Sequence, residues 1–124
     1  MVFNVLICCA DDHLRNHGFL REPSGWVLSP AYDLNPVPVD VRPRVHALAL
    51  DDRSREASLS TVLDVADYFG LRPSRARRLA RTVAEATAGY RRTARAHGLS
   101  PPEIDRMRSA FEHDDLEAAL RLPR

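Results

Sequence analysis

Residues 2–36 read VFNVLICCADDHLRNHGFLREPSGWVLSPAYDLNP, and the succession of textures in that stretch sets the expectation for the whole chain. An apolar run, Phe3, Val5, Leu6 and Ile7, passes at once into a polar cluster, Asp11, Asp12, His13, Arg15 and Asn16. Such a run is a helix or buried strand that feeds a loop. His17–Arg21 and Trp26–Ser29 then flank Glu22-Pro23-Ser24-Gly25, and Pro with Gly in so short a connection is hairpin chemistry. Beyond it Pro30, Pro36, Pro38 and Pro43 each remove a backbone donor, so the chain there is expected to be irregular. One short strand is expected over Val45–Leu50.

From residue 59 the pattern becomes helical. Ser60 is placed to cap a helix running through Leu63, Ala66 and Tyr68 or Phe69, which Gly70 stops. Pro73 opens the next helix, with Ala76, Leu79, Ala80, Val83, Ala84, Thr87 and Tyr90 at helical spacing and Gly98 at its end. Ser100 and Glu103 stand at capping-box spacing before a third helix. Its apolar side is Ile104, Met107, Ala110 and Phe111, and Leu116, Ala119 and Leu120 add a last turn or tail helix. The fold expected is mainly α with a small β-hairpin. It forms a single domain over 1–124, with loop, hairpin and irregular chain in 1–58 and a helical bundle in 59–124.

Composition narrows the function classes. The chain has 124 residues, 44% of them hydrophobic and 28% charged, the mixture of a globular domain rather than a disordered one. No stretch approaches membrane-span length, and the apolar start lacks the basic flank of a secretory signal, so a cytoplasmic location is expected. Cys8 and Cys9 are adjacent, which disfavours a mutual disulfide and zinc-site spacing alike, and they read as buried small hydrophobes at a helix end. All 18 basic residues are arginine. No mechanism can draw on a lysine from this chain.

The polar cluster carries the chemistry. Asp11 and Asn16 form Asp-x-x-x-x-Asn, the spacing of a kinase catalytic loop in which the Asp accepts a hydroxyl proton and the Asn holds a metal ion. A loop of that length lets both side chains converge, so that a metal on Asn16 and a hydroxyl near Asp11 share one phosphoryl group. Phosphoryl transfer also needs anionic oxygen on Mg²⁺, and Asp33, just past the hairpin, supplies it. Each residue has a plainer explanation too. Asp11 and Asp12 are at home in turns, and Asp33 is placed to cap Asn35-Pro36. Asp12 reads as solvent-facing. His13 orients the loop by a hydrogen bond, and Arg15 either meets a phosphate or pairs with Asp33. Tyr32 and Trp26 read as core aromatics at the hairpin.

Residues 2–36 also resemble the catalytic segment of HipA-type serine/threonine kinases, the toxins of HipA/HipB toxin–antitoxin modules. That family has a loop of the form Thr-Asp-x-His-x-Lys/Arg-Asn, a hairpin, and then Pro-x-Tyr-Asp-Leu. This chain has Asp11-Asp12-His13-Leu14-Arg15-Asn16 and Pro30-Ala31-Tyr32-Asp33-Leu34. The resemblance implies a kinase-like helical C-terminal lobe, with Asp11 as catalytic base, Asn16 as a metal ligand and Asp33 as the counterpart of the DFG aspartate. It fades through the helices to about Phe111. Cys9 and Ala10 replace the family's small residue and Thr. Loss of that hydroxyl removes a local hydrogen bond worth roughly 0.5–1.5 kcal/mol.

The resemblance further implies Mg²⁺ and ATP as cofactors of the complete fold, a protein substrate, and a HipB-like antitoxin as partner. The ATP-gripping N-lobe is missing and its lysine has no counterpart here. A truncated fragment is therefore expected, inactive alone, binding neither cofactor tightly and open to a separate N-lobe polypeptide. Such a fragment should bare apolar surface, with Val2, Phe3 and Leu6 as candidates, and self-associate. The class competing with a kinase fragment is a non-catalytic binding module, contacting an antitoxin, an N-lobe chain or RNA. Between 72 and 95, Arg72, Arg75, Arg77, Arg78, Arg81, Arg91, Arg92 and Arg95 face only Glu85. Net charge is only +1, because Glu103, Asp105, Glu112, Asp114, Asp115 and Glu117 follow. Ion pairing between helices is the expected outcome, with no direct role in nucleic-acid binding and none at a membrane.

Overall fold

A five-residue helix, α1 (Val2–Leu6), packs against three later helices, those over Leu59–Asp64, Pro73–Thr87 and Asp114–Leu120. The structure is a computed structural model, and it describes residues 1–41 and 58–124. The strand expected over Val45–Leu50 lies outside the described residues. After α1 come a 3-10 turn at Leu14–Asn16 and an antiparallel hairpin of β1 (Phe19–Glu22) and β2 (Gly25–Leu28). Six further α-helices follow among the described residues: α2 (Leu59–Asp64), α3 (Pro73–Thr87), α4 (Tyr90–Ala96), α5 (Pro101–Arg106), α6 (Arg108–Phe111) and α7 (Asp114–Leu120). The described chain is mainly helical with one two-stranded hairpin, as the sequence pattern predicts. No helix among the described residues is long and apolar enough to cross a membrane.

The core is built on small residues. Leu6 is fully buried against Leu59, Ala80, Ala84, Leu116 and Ala119, and Val5 packs on Val62. Alanine at 80, 84 and 119 lets α3 and α7 approach α1 closely. Burying Leu6 is worth about 1.5–3 kcal/mol. Leu6 therefore corrects the expectation that it lies on bared surface. Phe3, at 38% exposure, does remain partly open.

Helix α1 ends in a Schellman motif. Cys9 N–H bonds the Asn4 carbonyl at 2.8 Å and Cys8 N–H the Val5 carbonyl at 3.3 Å, with Cys8 in the left-handed region at φ +52°. Both cysteines are buried free thiols, as expected at a helix end. His113 Nε2 donates to the Leu6 carbonyl at 3.1 Å and so ties α1 to the start of α7.

Four boundaries differ from the sequence pattern. The helix expected to run through Ala66 to Tyr68 or Phe69 ends at Asp64, and a separate 3-10 turn covers Ala66–Phe69. Ser58, not Ser60, caps α2: its Oγ accepts from Thr61 N–H at 3.2 Å, while Leu59 N–H donates to Asp115 at 3.0 Å. The long helix expected up to Gly98 breaks at Ala88–Gly89 into α3 and α4. The expected third helix breaks likewise at Met107. Gly70 and Gly98, at φ +66° and +84°, end their segments as predicted. Ser100 N–H donates to Glu103 Oε2 at 2.8 Å, completing the predicted capping box.

Candidate functional site

The loop after α1 is ordered by one buried carboxylate. Asp12 is 4% exposed. It accepts from Asn4 Nδ2 at 2.7 Å on Oδ2 and from His17 Nε2 at 2.7 Å on Oδ1. Its predicted solvent-facing position is thus wrong, because two polar side chains converge on it from either side of the motif. Burial pushes the Asp12 carboxyl up, but the bonds from Asn4 and His17 outweigh that, and it ends below the ordinary aspartate range. The carboxylate holds the start of the loop to α1 and its end to His17.

Between those anchors lie the predicted site residues. Asp11 is exposed, and its backbone carbonyl accepts from Asn16 Nδ2 at 3.0 Å. That bond takes up Nδ2 of the Asn16 amide, so Oδ1 is the atom able to offer an oxygen to a cation. His13 and Arg15 meet only at 3.5 Å, Nε2 to Nη2, too long for a strong bond. His17, through Asp12, holds the end of the loop. Arg15 contributes through its backbone, whose carbonyl accepts from the Tyr32 hydroxyl at 2.6 Å.

That bond from Tyr32 joins the first loop to the second. Across the hairpin Phe19 pairs with Leu28, Leu20 with Val27, Arg21 with Trp26 and Glu22 with Gly25. Ser29 N–H donates to the Gly18 carbonyl at 2.8 Å, which returns the chain beside Asn16. Gly25 at φ +136° makes the tight return possible. Trp26 and Tyr32 are 70% and 45% exposed, contrary to their predicted core positions, since no second layer covers the hairpin among the described residues. Asp33 is exposed and left-handed at φ +55°, and its Oδ1 accepts from Asn35 Nδ2 at 2.6 Å. Cys9 Sγ lies 4.0 Å from the Asp33 carbonyl. Burial pushes that thiol up, despite backbone bonds from Asn35 and Asp11.

Asn4, Asp12, Asn16, His17, Tyr32 and Asp33 all line one cleft of about 260 Å³. The structure brings Asn16 and Asp33 together there. Asp11 is joined to the cleft through Asn16 and is not among its lining residues. Oxygen donors of this kind suit a hard cation such as Mg²⁺, which keeps water and phosphate ligands rather than an all-protein cage. Among the described residues no three His, Cys, Asp or Glu side chains gather to hold a metal by themselves. A larger hollow of about 570 Å³ lies between α3 and α6, against Tyr90, Met107 and Phe111, but it is almost entirely apolar.

A family model described as the HipA-like C-terminal domain matches residues 1–90. The chain belongs to that family. The match spans α1, the cleft, the hairpin and α3, so the HipA-like resemblance of residues 2–36 holds for most of the molecule. No curated protein and no solved structure gave a match. Sequence reasoning missed the brace Asn4–Asp12–His17. Its only signal was a second acid beside Asp11 and a histidine next to Asn16.

Proposed function

We propose that the chain is the catalytic C-terminal part of a HipA-type serine/threonine protein kinase. In this assignment Asn16 and Asp33 hold Mg²⁺ and Asp11 is the general base. The observation that supports it best is the shared cleft of Asn16 and Asp33, with the Asn16 amide tied to the Asp11 carbonyl. Asn16 Oδ1 and the Asp33 carboxylate offer a neutral and an anionic oxygen to one cation. Magnesium-bound ATP supplies the phosphoryl group when the complete fold binds it. Asp11 takes the proton from a serine or threonine hydroxyl as that oxygen attacks. The lysine that grips ATP has no source in a lysine-free sequence, so the purified chain alone transfers no phosphoryl group. Transfer by the isolated chain would overturn that part.

Manganese titration followed by NMR tests the metal assignment. Paramagnetic broadening is expected first at the Asn16 side-chain amide and at Asp33 and Asn35, and Asp33→Asn should remove it. Broadening centred elsewhere would refute the assignment. A second role, as a binding module, is favoured by the hairpin: Phe19, Trp26 and Leu28 are 63%, 70% and 64% exposed on one face. A separate N-lobe polypeptide or a HipB-like antitoxin would cover such a face. Co-purification of either, lost on Trp26→Ser, would support it.

A further inference from the structure

Among the described residues, ion pairs engage two of the eight arginines between 72 and 95: Arg81 with Glu85, and Arg91 with Asp105 and Glu112. Arg72, Arg75 and Arg78 are exposed and make no ion pair or side-chain hydrogen bond among the described residues. At about 100° per residue Arg75 and Arg78 lie on one flank of α3 beside Leu79, with Arg72 at the N-cap just before it, while Arg77 falls on the other side. Like charges three residues apart repel. They also crowd the positive end of the helix, where no acid stands in the first turn. The isolated chain is made less stable by keeping them there.

A second feature adjoins them. Tyr68 and Phe69, in the 3-10 turn directly before α3, are 80% and 60% exposed. Gly70 N–H bonds the Asp67 carbonyl at 2.9 Å and Leu71 N–H the Ala66 carbonyl at 3.1 Å, so the aromatics are held close to the start of α3. Phe69, Leu71, Ala76 and Leu79 line a cleft of about 270 Å³, apolar almost throughout. The adjacent acid, Asp67, accepts from Tyr68 N–H at 3.0 Å.

We infer that this face binds a single-stranded nucleic acid, with bases stacked on Tyr68 and Phe69 and phosphates tracked by Arg72, Arg75 and Arg78. An acidic peptide would use the arginines and leave the aromatics idle. An apolar peptide would do the reverse. A duplex keeps its bases stacked on one another and offers no free ring face, whereas a single strand offers both rings and phosphates. None of these residues lines the cleft of Asn16 and Asp33, so the inference stands apart from the kinase assignment.

Fluorescence anisotropy of a labelled oligouridine of about twelve nucleotides, read against the full chain at about 50 mM salt, tests it. Saturable binding is expected, weakened about tenfold by Tyr68→Ala. Replacing Arg75 and Arg78 together by Gln should lower the slope of log affinity against log salt by about 1.4. That double variant should melt no lower than the parent, while Arg77→Gln leaves affinity within about twofold. Absence of saturable binding would overturn the inference. So would equal affinity for duplex DNA, equal competition by polyglutamate, or an Arg77→Gln loss as large as that of the pair.

Discussion

The loop region from Cys8 to Val41 and the helical region from Ser58 onward gain their order by opposite means. Past Ala10, Asp12 and Pro38 are the loop-region residues that are buried, while Leu14, Phe19, Trp26 and Leu28 stand open to solvent. Hydrogen bonds hold that region, from Asn4, His17, Asn16 and Tyr32. The helical region is held by close packing of Ala80, Ala84, Ala119 and their neighbours. Apolar burial is strong but has no direction, whereas a hydrogen bond fixes an atom to a few tenths of an ångström. The half that carries the cleft of Asn16 and Asp33 is built from directional bonds, and the half that supports it from packing.

Several variants would break or sharpen that contrast. Leu6→Ala should have the largest effect, costing about 2–5 kcal/mol, with the hairpin and helices lost together in a urea melt. Asp12→Ala comes next, at about 1–3 kcal/mol, since it strands the buried Asn4 amide. It should disorder the Asn16 and Tyr32 NMR signals while helical circular dichroism persists. Unchanged loop signals would show that packing, not the carboxylate, orders the loop.

Acid should act like a graded form of that variant. The folded Asp12 value lies below the unfolded one, so its contribution is complete above the unfolded range near about 4 and is lost as pH falls through the folded value. Loop signals should therefore weaken before helical ellipticity does. Ser58→Ala removes the α2 cap and should cost about 1 kcal/mol, seen as a parallel shift of the whole melt. The smallest effect on stability, under about 0.5 kcal/mol, belongs to Trp26→Ser. It should nonetheless lower the light scattering of concentrated solutions, because Trp26 is the most exposed apolar side chain of the open hairpin face.

The two regions also differed in how far sequence alone revealed them. Local rules found the hairpin, the glycine stops at 70 and 98 and the Ser100–Glu103 box, because each depends on a few adjacent residues. The break at Gly89 was hidden by an apolar periodicity that runs straight through it. A Cβ at Gly89 would come within 3.2 Å of the Ala86 carbonyl. In the candidate site, Asn16 and Asp33 were legible as a spaced pattern. The burial of Asp12 was not, since it requires Asn4 and His17 to converge from opposite sides. Trp26 misled for the converse reason: an aromatic is buried only where another layer exists to cover it.

The left-handed backbone at Asp33 limits what mutation can do there. Asn, Asp and Gly adopt φ near +55° at little cost, and β-branched or bulky residues do not. A population of random variants at this codon, sorted for folding alone, would be enriched in those three residues whether or not the chain ever meets ATP. Only the carboxylate among them carries charge. Comparing the survivors of a folding screen with those of an activity screen would therefore separate the conformational demand at position 33 from the chemical one.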